Sequence, residues 1–469
     1  MLDPADWEAF REQSHRILDA MVDYMAAVRE QPTWQAIPEE VKAALRAPLP
    51  VEPSSLDAVY AEFAQNVLPY PTGNIHPRWF GWVHGSGTPA GALADFLAAV
   101  MNSNVGGRQH SAVYVERQII RWFCELFGFG KQGSGVLLAG TSMANFAGVL
   151  VARTAMLGAA ARTHGSDQNH RLVGYASRAT HSCLKKAFEM AGLGSAALHV
   201  IDTDDDHRIN LSDLKAAIAR DKAAGATPFL IVGNAGAVDT GAIDPLDHLA
   251  DIAERENIWF HVDGAFGAMA MLSEKLRPGL RGIERAGSIA FDFHKWLHVP
   301  YDAACLLVRD ESLHRKTFAS EGPYITRMEH GTASGTPWFA DFGPDLSRGF
   351  RALKVWFTLK HFGTRRLAEA IEMNCDQARH LSELVSNDPD FELAAPVKLN
   401  IVCFRSRHGD NDAIAIAVQE SGRAVISSTT IKGERVLRAC FTNHRTRNED
   451  VAELFAAVKA GLRTSSGAV

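Results

Sequence analysis

Cysteine is scarce and scattered. The six thiols (Cys124, Cys183, Cys305, Cys375, Cys403 and Cys440) form no CxxC pair, which argues against a disulfide frame or a zinc site and for reduced thiols. Long apolar runs are missing too: the longest, residues 91–101 (GALADFLAAVM), contains Asp95 and is too short to cross a bilayer. No segment is dominated by lysine and arginine, and 48 basic residues against 54 acidic ones leave a net charge of −6. Nucleic acid and anionic membrane surfaces are therefore poor partners. The opening MLDPADWEAFREQ has neither a basic nor an apolar leader region, so a cytoplasmic protein without a secretory signal is expected. Internal repeats and low-complexity blocks are absent.

What is present suits a globular chain. Hydrophobic residues make up 46% and charged residues 22% of 469, which excludes wholesale disorder and leaves room for two or three domains. Residues 1–78 read as a helical arm. Asp3-Pro4 is a helix-start signal, and Trp7, Phe10, Ile17, Met21, Met25 and Val28 form one apolar stripe. That stripe must bury itself against the chain's own body or a second subunit.

Residues 79–349 alternate short apolar runs with helical patterns: GVLLAG (135–140), LVGYAS (172–177), ALHVID (197–202), FLIVGNAG (229–236), IWFHVD (258–263), SIAFDF (288–293) and AACLLV (303–308). Strands that are apolar throughout, rather than alternating, predict an α/β domain with a mostly parallel sheet flanked by helices. Residues 350–469 begin with a long helical stretch and continue as a smaller α+β domain, with strands expected at 399–405 and 436–441.

Open α/β sheets bind ligands at the carboxyl ends of their strands, and four features sit there. AGTSMAN (139–145) is a strand, a glycine and two hydroxyl residues opening a helix, an arrangement suited to phosphate. HVDGAFG (261–267) places a carboxylate at a strand end, where it can meet a cation. FDFHKW (291–296) wedges a lysine among aromatic residues; desolvation there should lower its pKa and suit it to Schiff-base formation. His181 in SRATHSC offers a neutral, flat imidazole. Singly, each has a blander reading as a cap, a turn residue, a stacking lysine or a structural histidine. Together they supply a phosphate cradle, an acid, an amine nucleophile and a stacking ring, in that company a site for pyridoxal phosphate.

In these motifs the chain resembles the fold-type-I pyridoxal phosphate enzymes, and among them the group II amino-acid decarboxylases. HVDGAFG and SIAFDFHKW carry the resemblance, supported by GTSMAN, ATHSC, GAIDPL, NIHPRWFGW (74–82) and FRALKVWF (350–357). The resemblance implies that Lys295 is the Schiff-base lysine, that Asp263 holds the pyridine nitrogen protonated, and that His181 stacks on the ring with Ala265 against its other face. It further implies that Thr141, Ser142 and Met143 form the phosphate turn and that Ser288 and His294 flank the phosphate. Tyr324, 29 residues after Lys295 in a glycine-punctuated stretch that reads as a mobile lid, matches a proton donor supplied across a homodimer interface.

Phenylalanine at that position accompanies aldehyde formation in related enzymes, so tyrosine favours simple decarboxylation of an L-amino acid to its amine and CO₂. Trp79, Phe80 and Trp82 suit an aromatic substrate, His84 stands in the same wall segment, and Arg348 and Arg438 are candidates for carboxylate or phosphate contact. The chain departs from the family in several places. Asp292-Phe293 replaces the usual Asn-Pro, so Asp292 is expected to point away from the phosphate. His84-Gly85 replaces a Pro-Thr type pair, and Ala237 and Gly106-Gly107 stand where a hydroxyl and an aromatic residue are common. An aldehyde synthase, an aminotransferase and a non-enzymatic cofactor-binding homologue are the competing readings; a cysteine desulfurase is disfavoured because residues 311–343 contain no cysteine.

Overall fold

The computed structural model describes residues 2–165, 171–320, 322 and 326–466. Its strands are β1 (Trp79–Phe80), β2 (Ser134–Leu138), β3 (Leu172–Ser177), β4 (Leu198–Ile201), β5 (Thr227–Asn234) and β6 (Trp259–Asp263). They continue as β7 (Ser288–Asp292), β8 (Ala304–Val308), β9 (Phe391–Leu393), β10 (Ile401–Ser406), β11 (Val425–Ile431) and β12 (Glu434–Cys440). Seven form the main sheet in the order β2-β8-β7-β6-β5-β3-β4. Neighbours pair in parallel except around β8, which runs antiparallel to both β2 and β7. Every residue of β2, β3, β7 and β8 is buried, the physical reason these segments read as unbroken apolar runs. Because β8 alone is reversed, the carboxyl ends of β2, β3, β5, β6 and β7 share one edge of the sheet. That edge carries the site.

The smaller sheet has the order β1-β11-β12-β10-β9. Its edge strand comes from far away in sequence: Trp79 and Phe80 pair in parallel with Val425 and Ile426. These two residues, placed by the sequence at the start of the large domain, thus hydrogen-bond into the C-terminal sheet. The helix Ala352–Ser386 is broken at Gly363, whose φ of 69° and ψ of 160° lie outside the helical region. The expected single stretch is therefore two helices.

The first helix, Trp7–Ala26, is capped by Asp6 rather than Asp3, since the Asp6 carboxylate accepts from the amides of Glu8 and Ala9. Among the described residues it buries none of its own, and Trp7, Phe10, Leu18 and Val22 of its apolar face are exposed. All six cysteines are free and buried. Among the described residues, no helix is long and apolar enough to cross a membrane.

Candidate active site

At the carboxyl edge of the main sheet lies a cavity of about 320 Å³ lined by residues from both sheets, including Thr141, Ser142, His181, Asp263, Ala265, His294, Lys295, Trp82, His84 and Arg438. Strand geometry explains the gathering. Thr141 and Ser142 open the helix Thr141–Leu157 three residues past β2, Asp263 closes β6, and Lys295 follows β7 by three. The segment from Trp82 crosses over from the small sheet. Gly85 lets it come down onto the lysine strand, because a Cβ there would overlap the carbonyl of His294.

Lys295 Nζ lies 2.9 Å from Asp292 Oδ2. Burial alone would lower the amine, as the sequence leads one to expect. Burial is the largest single influence, but the charge of Asp292, its hydrogen bond and the charges of Asp263 and Tyr301 together oppose it, and the Lys295 pKa is raised instead. Asp292 does not turn away: its other oxygen accepts from the Thr141 amide at 2.7 Å. Burial opposes its charge, yet Lys295 and His294 hold it below the ordinary carboxylate value. Asp263 accepts from Asn145 Nδ2 at 2.8 Å and from the Ala265 amide at 3.1 Å. Burial pushes Asp263 up, opposed by the Asn145 hydrogen bond and the charge of Lys295.

His181 accepts from the Cys183 amide through Nδ1 at 3.2 Å, leaving its proton on Nε2, and burial lowers its pKa so that the ring is neutral. His294 accepts the Ala303 amide through Nδ1 at 3.0 Å and lies against Tyr301, ring centroids 4.3 Å apart. His84 stacks on Trp79 at 5.8 Å and 12°.

Several residues expected here sit elsewhere. Ser288 lies at the start of β7, the opposite end of the strand from Lys295, bonded to His261 and Trp259; it cannot flank the phosphate. Arg348 is buried in an ion pair with Glu116 at 2.5 Å and bonds the carbonyls of Leu137 and Val105, so it does not reach the cavity. Phe80 packs against Phe441 in the small-domain core, and Trp79 stands behind His84 rather than on the wall. Met143 lies in the first helical turn and packs against the large core without lining the cavity. Tyr324 lies outside the described residues. Conversely, Asn234, Val238, Phe266 and Tyr301 line the cavity. Of these Asn234 was legible as a strand-end polar residue; the others lie in loops where residue type gives no signal.

Two of the described groups lining the cavity carry buried polar atoms without a partner. Thr141 Oγ1 makes no hydrogen bond among the described residues, nor do Nε and Nη2 of Arg438. A hydroxyl at a helix start and a guanidinium facing one cavity are unmet demands for anions.

The family described as "Pyridoxal-dependent decarboxylase conserved domain" matches residues 38–407, and the chain belongs to that family; its cofactor is pyridoxal phosphate. An aromatic-L-amino-acid decarboxylase from Bacillus atrophaeus is 32% identical, across 97% of this chain and 95% of that protein. A phenylacetaldehyde synthase from Arabidopsis thaliana is 30% identical, across 97% and 96%. The crystal structure of Oryza sativa TDC with PLP and tryptamine superimposes with a TM-score of 0.89 at 27% identity, covering 99% of each chain. The residues present fit the cofactor: the partnerless Thr141 hydroxyl, the buried Asp263 and the Lys295 amine share one cavity.

Proposed function

We propose that this protein is a pyridoxal phosphate-dependent decarboxylase of aromatic L-amino acids, giving the amine and CO₂. The observation that carries the reading is the Arg438 guanidinium, whose Nε and Nη2 have no acceptor among the described residues, in the same cavity as Lys295 and Asp263. The amino acid brings the carboxylate that Arg438 lacks, while Trp82 and His84 supply a flat wall for its side chain. The names of the relatives above support an aromatic substrate.

Pyridoxal phosphate supplies the electron sink that departure of CO₂ from Cα requires. Lys295 anchors it through its amine. Asp263 holds the ring nitrogen protonated, and His181 offers a neutral face for stacking. Thr141 and Ser142 take the phosphate at the helix start, with His294 beside them. Arg438 orients the substrate carboxylate, and a proton takes its place at Cα; Tyr324 is the proposed donor. The unburied apolar face of Trp7–Ala26 supports a homodimer, and the six free thiols support a cytoplasmic setting.

The test incubates the cofactor-loaded protein with each of the twenty L-amino acids, with mass spectrometry of products and assay of CO₂. Amine plus CO₂ from an aromatic amino acid is expected, with loss of turnover in Lys295→Ala. An aldehyde with ammonia would assign it with the aldehyde synthases, and a keto acid without CO₂ would overturn decarboxylation.

A further inference from the structure

A chain of polar side chains runs behind Asp263, away from any group that binds substrate. Asp263 Oδ2 accepts from Asn145 Nδ2 at 2.8 Å, and Asn145 Oδ1 lies 2.9 Å from His261 Nε2. His261 Nδ1 lies 2.7 Å from Ser288 Oγ, which in turn accepts from Trp259 Nε1 at 2.9 Å. Asn145, His261 and Ser288 are wholly buried, each at 0% exposure.

One end fixes the polarity of the whole chain. An indole N–H can only donate, so Ser288 accepts from Trp259; His261 Nδ1 is then the one acceptor among the described residues for the buried Ser288 proton, which would otherwise go unpaired. His261, neutral because burial lowers its pKa to about 3, then carries its proton on Nε2 and donates it to Asn145 Oδ1. That turns the carboxamide NH₂ toward Asp263. A reversed amide would face Asp263 with a carbonyl oxygen, an arrangement only a protonated carboxyl satisfies.

The helix accommodates this ring at its own expense. Gly148 lies inside the helix Thr141–Leu157, where glycine weakens helical structure. A Cβ there would stand 2.8 Å from His261 Cε1 and 3.0 Å from Nδ1.

We propose that Asn145 and His261 are positioning residues for the cofactor's ring nitrogen. With Ser288 and Trp259 behind them, they fix a hydrogen-bond donor on Oδ2 of Asp263 and so keep that carboxylate ionised and oriented. The inference rests on the reading of Asp263 as the ring-nitrogen partner. Burial favours the protonated acid, and each donor aimed at the carboxylate opposes it. Neither Asn145 nor His261 need touch the cofactor for this.

The test compares two ligands on the full chain freed of cofactor: pyridoxal phosphate and its 1-deaza analogue, in which a ring C–H replaces the nitrogen. Both carry the aldehyde and the phosphate, so the ratio of their dissociation constants reads only the atom that faces Asp263. The wild type is expected to prefer pyridoxal phosphate. Asn145→Ala and His261→Ala should each shrink that preference about tenfold, the worth of one charge-assisted hydrogen bond, with affinity for the analogue unchanged. His261→Gln, which keeps a donor toward Asn145 Oδ1, should restore most of it. Ser288→Ala, remote from the cavity, gives the same reading with less risk to folding. Equal weakening of both ligands would mean a merely structural role and overturn the proposal. Full preference in the Asn145 and His261 variants, with preference lost in Asp263→Asn, would overturn it while leaving the role of Asp263 standing. Full preference in Asp263→Asn would overturn both.

Discussion

The carboxylate of Asp292 ties Lys295 to the phosphate turn: one oxygen lies 2.9 Å from Lys295 Nζ and the other takes the Thr141 amide at 2.7 Å. The same acid therefore holds the amine protonated and occupies an amide at the helix start, where phosphate would otherwise bind. Removing its charge should act on both. In Asp292→Asn the Lys295 pKa falls, so more neutral amine is available near pH 7. The rate at which the cofactor-free protein captures pyridoxal phosphate should rise about tenfold, and its pH profile should move to lower pH. Stopped-flow absorbance over pH 6–10 checks this; an unmoved profile would show that Asp292 does not control the amine.

Arg438 makes one long contact, 3.3 Å to Ser427 Oγ, and its remaining nitrogens face no acceptor among the described residues. Replacement by methionine keeps the bulk and deletes the fork. KM for the amino acid should rise about 10- to 100-fold, the worth of a charge-assisted pair. Inhibition by the product amine, which has no carboxylate, should not change. Equal weakening of amine and amino acid would place Arg438 outside carboxylate recognition.

Arg348 illustrates how residue type misleads. It resembles an anion-binding arginine in sequence, yet its side chain is 2% exposed and spans Glu116 and two carbonyls in the core. Arg348→Met leaves Glu116 buried without its cation and should cost about 3–5 kcal/mol in stability. The double variant Glu116→Gln/Arg348→Met should recover part of that loss. Urea unfolding of the three proteins measures it, and KM should stay within about twofold wherever the protein is folded.

Much of the frame was legible because burial writes itself into composition. β3 falls at Leu172–Ser177, the very run LVGYAS, since both faces of that strand exclude water. β11 escaped because VISSTTI carries hydroxyls on a partly exposed edge region, where no apolar run forms. Lys295, Asp263 and His181, singled out by strand-end position plus chemistry, line one cavity. Ser288 was misplaced because a strand has two ends: its hydroxyl is at the entry of β7, facing His261, while the ligand edge is at the exit. Trp79 and Phe80 join the small sheet rather than the wall, because aromatic type says nothing about which sheet a two-residue strand will join.

Acid should unfold this protein early, and the sign follows from its histidines. His261, His298 and His314 are buried and held neutral, burial lowering their pKa values to about 3, 4 and 3. In the unfolded chain each takes a proton near pH 6.5. The stability they represent is complete above that pH and is lost as the pH falls toward their folded values. At pH 5, 1.5 units below the unfolded value, each costs about 2 kcal/mol. Asp244 works in the opposite direction: burial raises it to about 6, so the native state gains its proton first and is favoured by acid, by about 1.4 kcal/mol at pH 5. Three histidines outweigh one aspartate, and the urea midpoint should fall steeply between pH 7.5 and 5. In His314→Gln, where the amide can keep the hydrogen bond to Ser134 Oγ now made at 2.9 Å, the loss of stability between pH 7.5 and 5 should shrink by about 2 kcal/mol. A midpoint that holds steady or rises toward pH 5 would show that these rings are charged in the native state, and the neutral His261 on which the Asn145 orientation depends would fall with them.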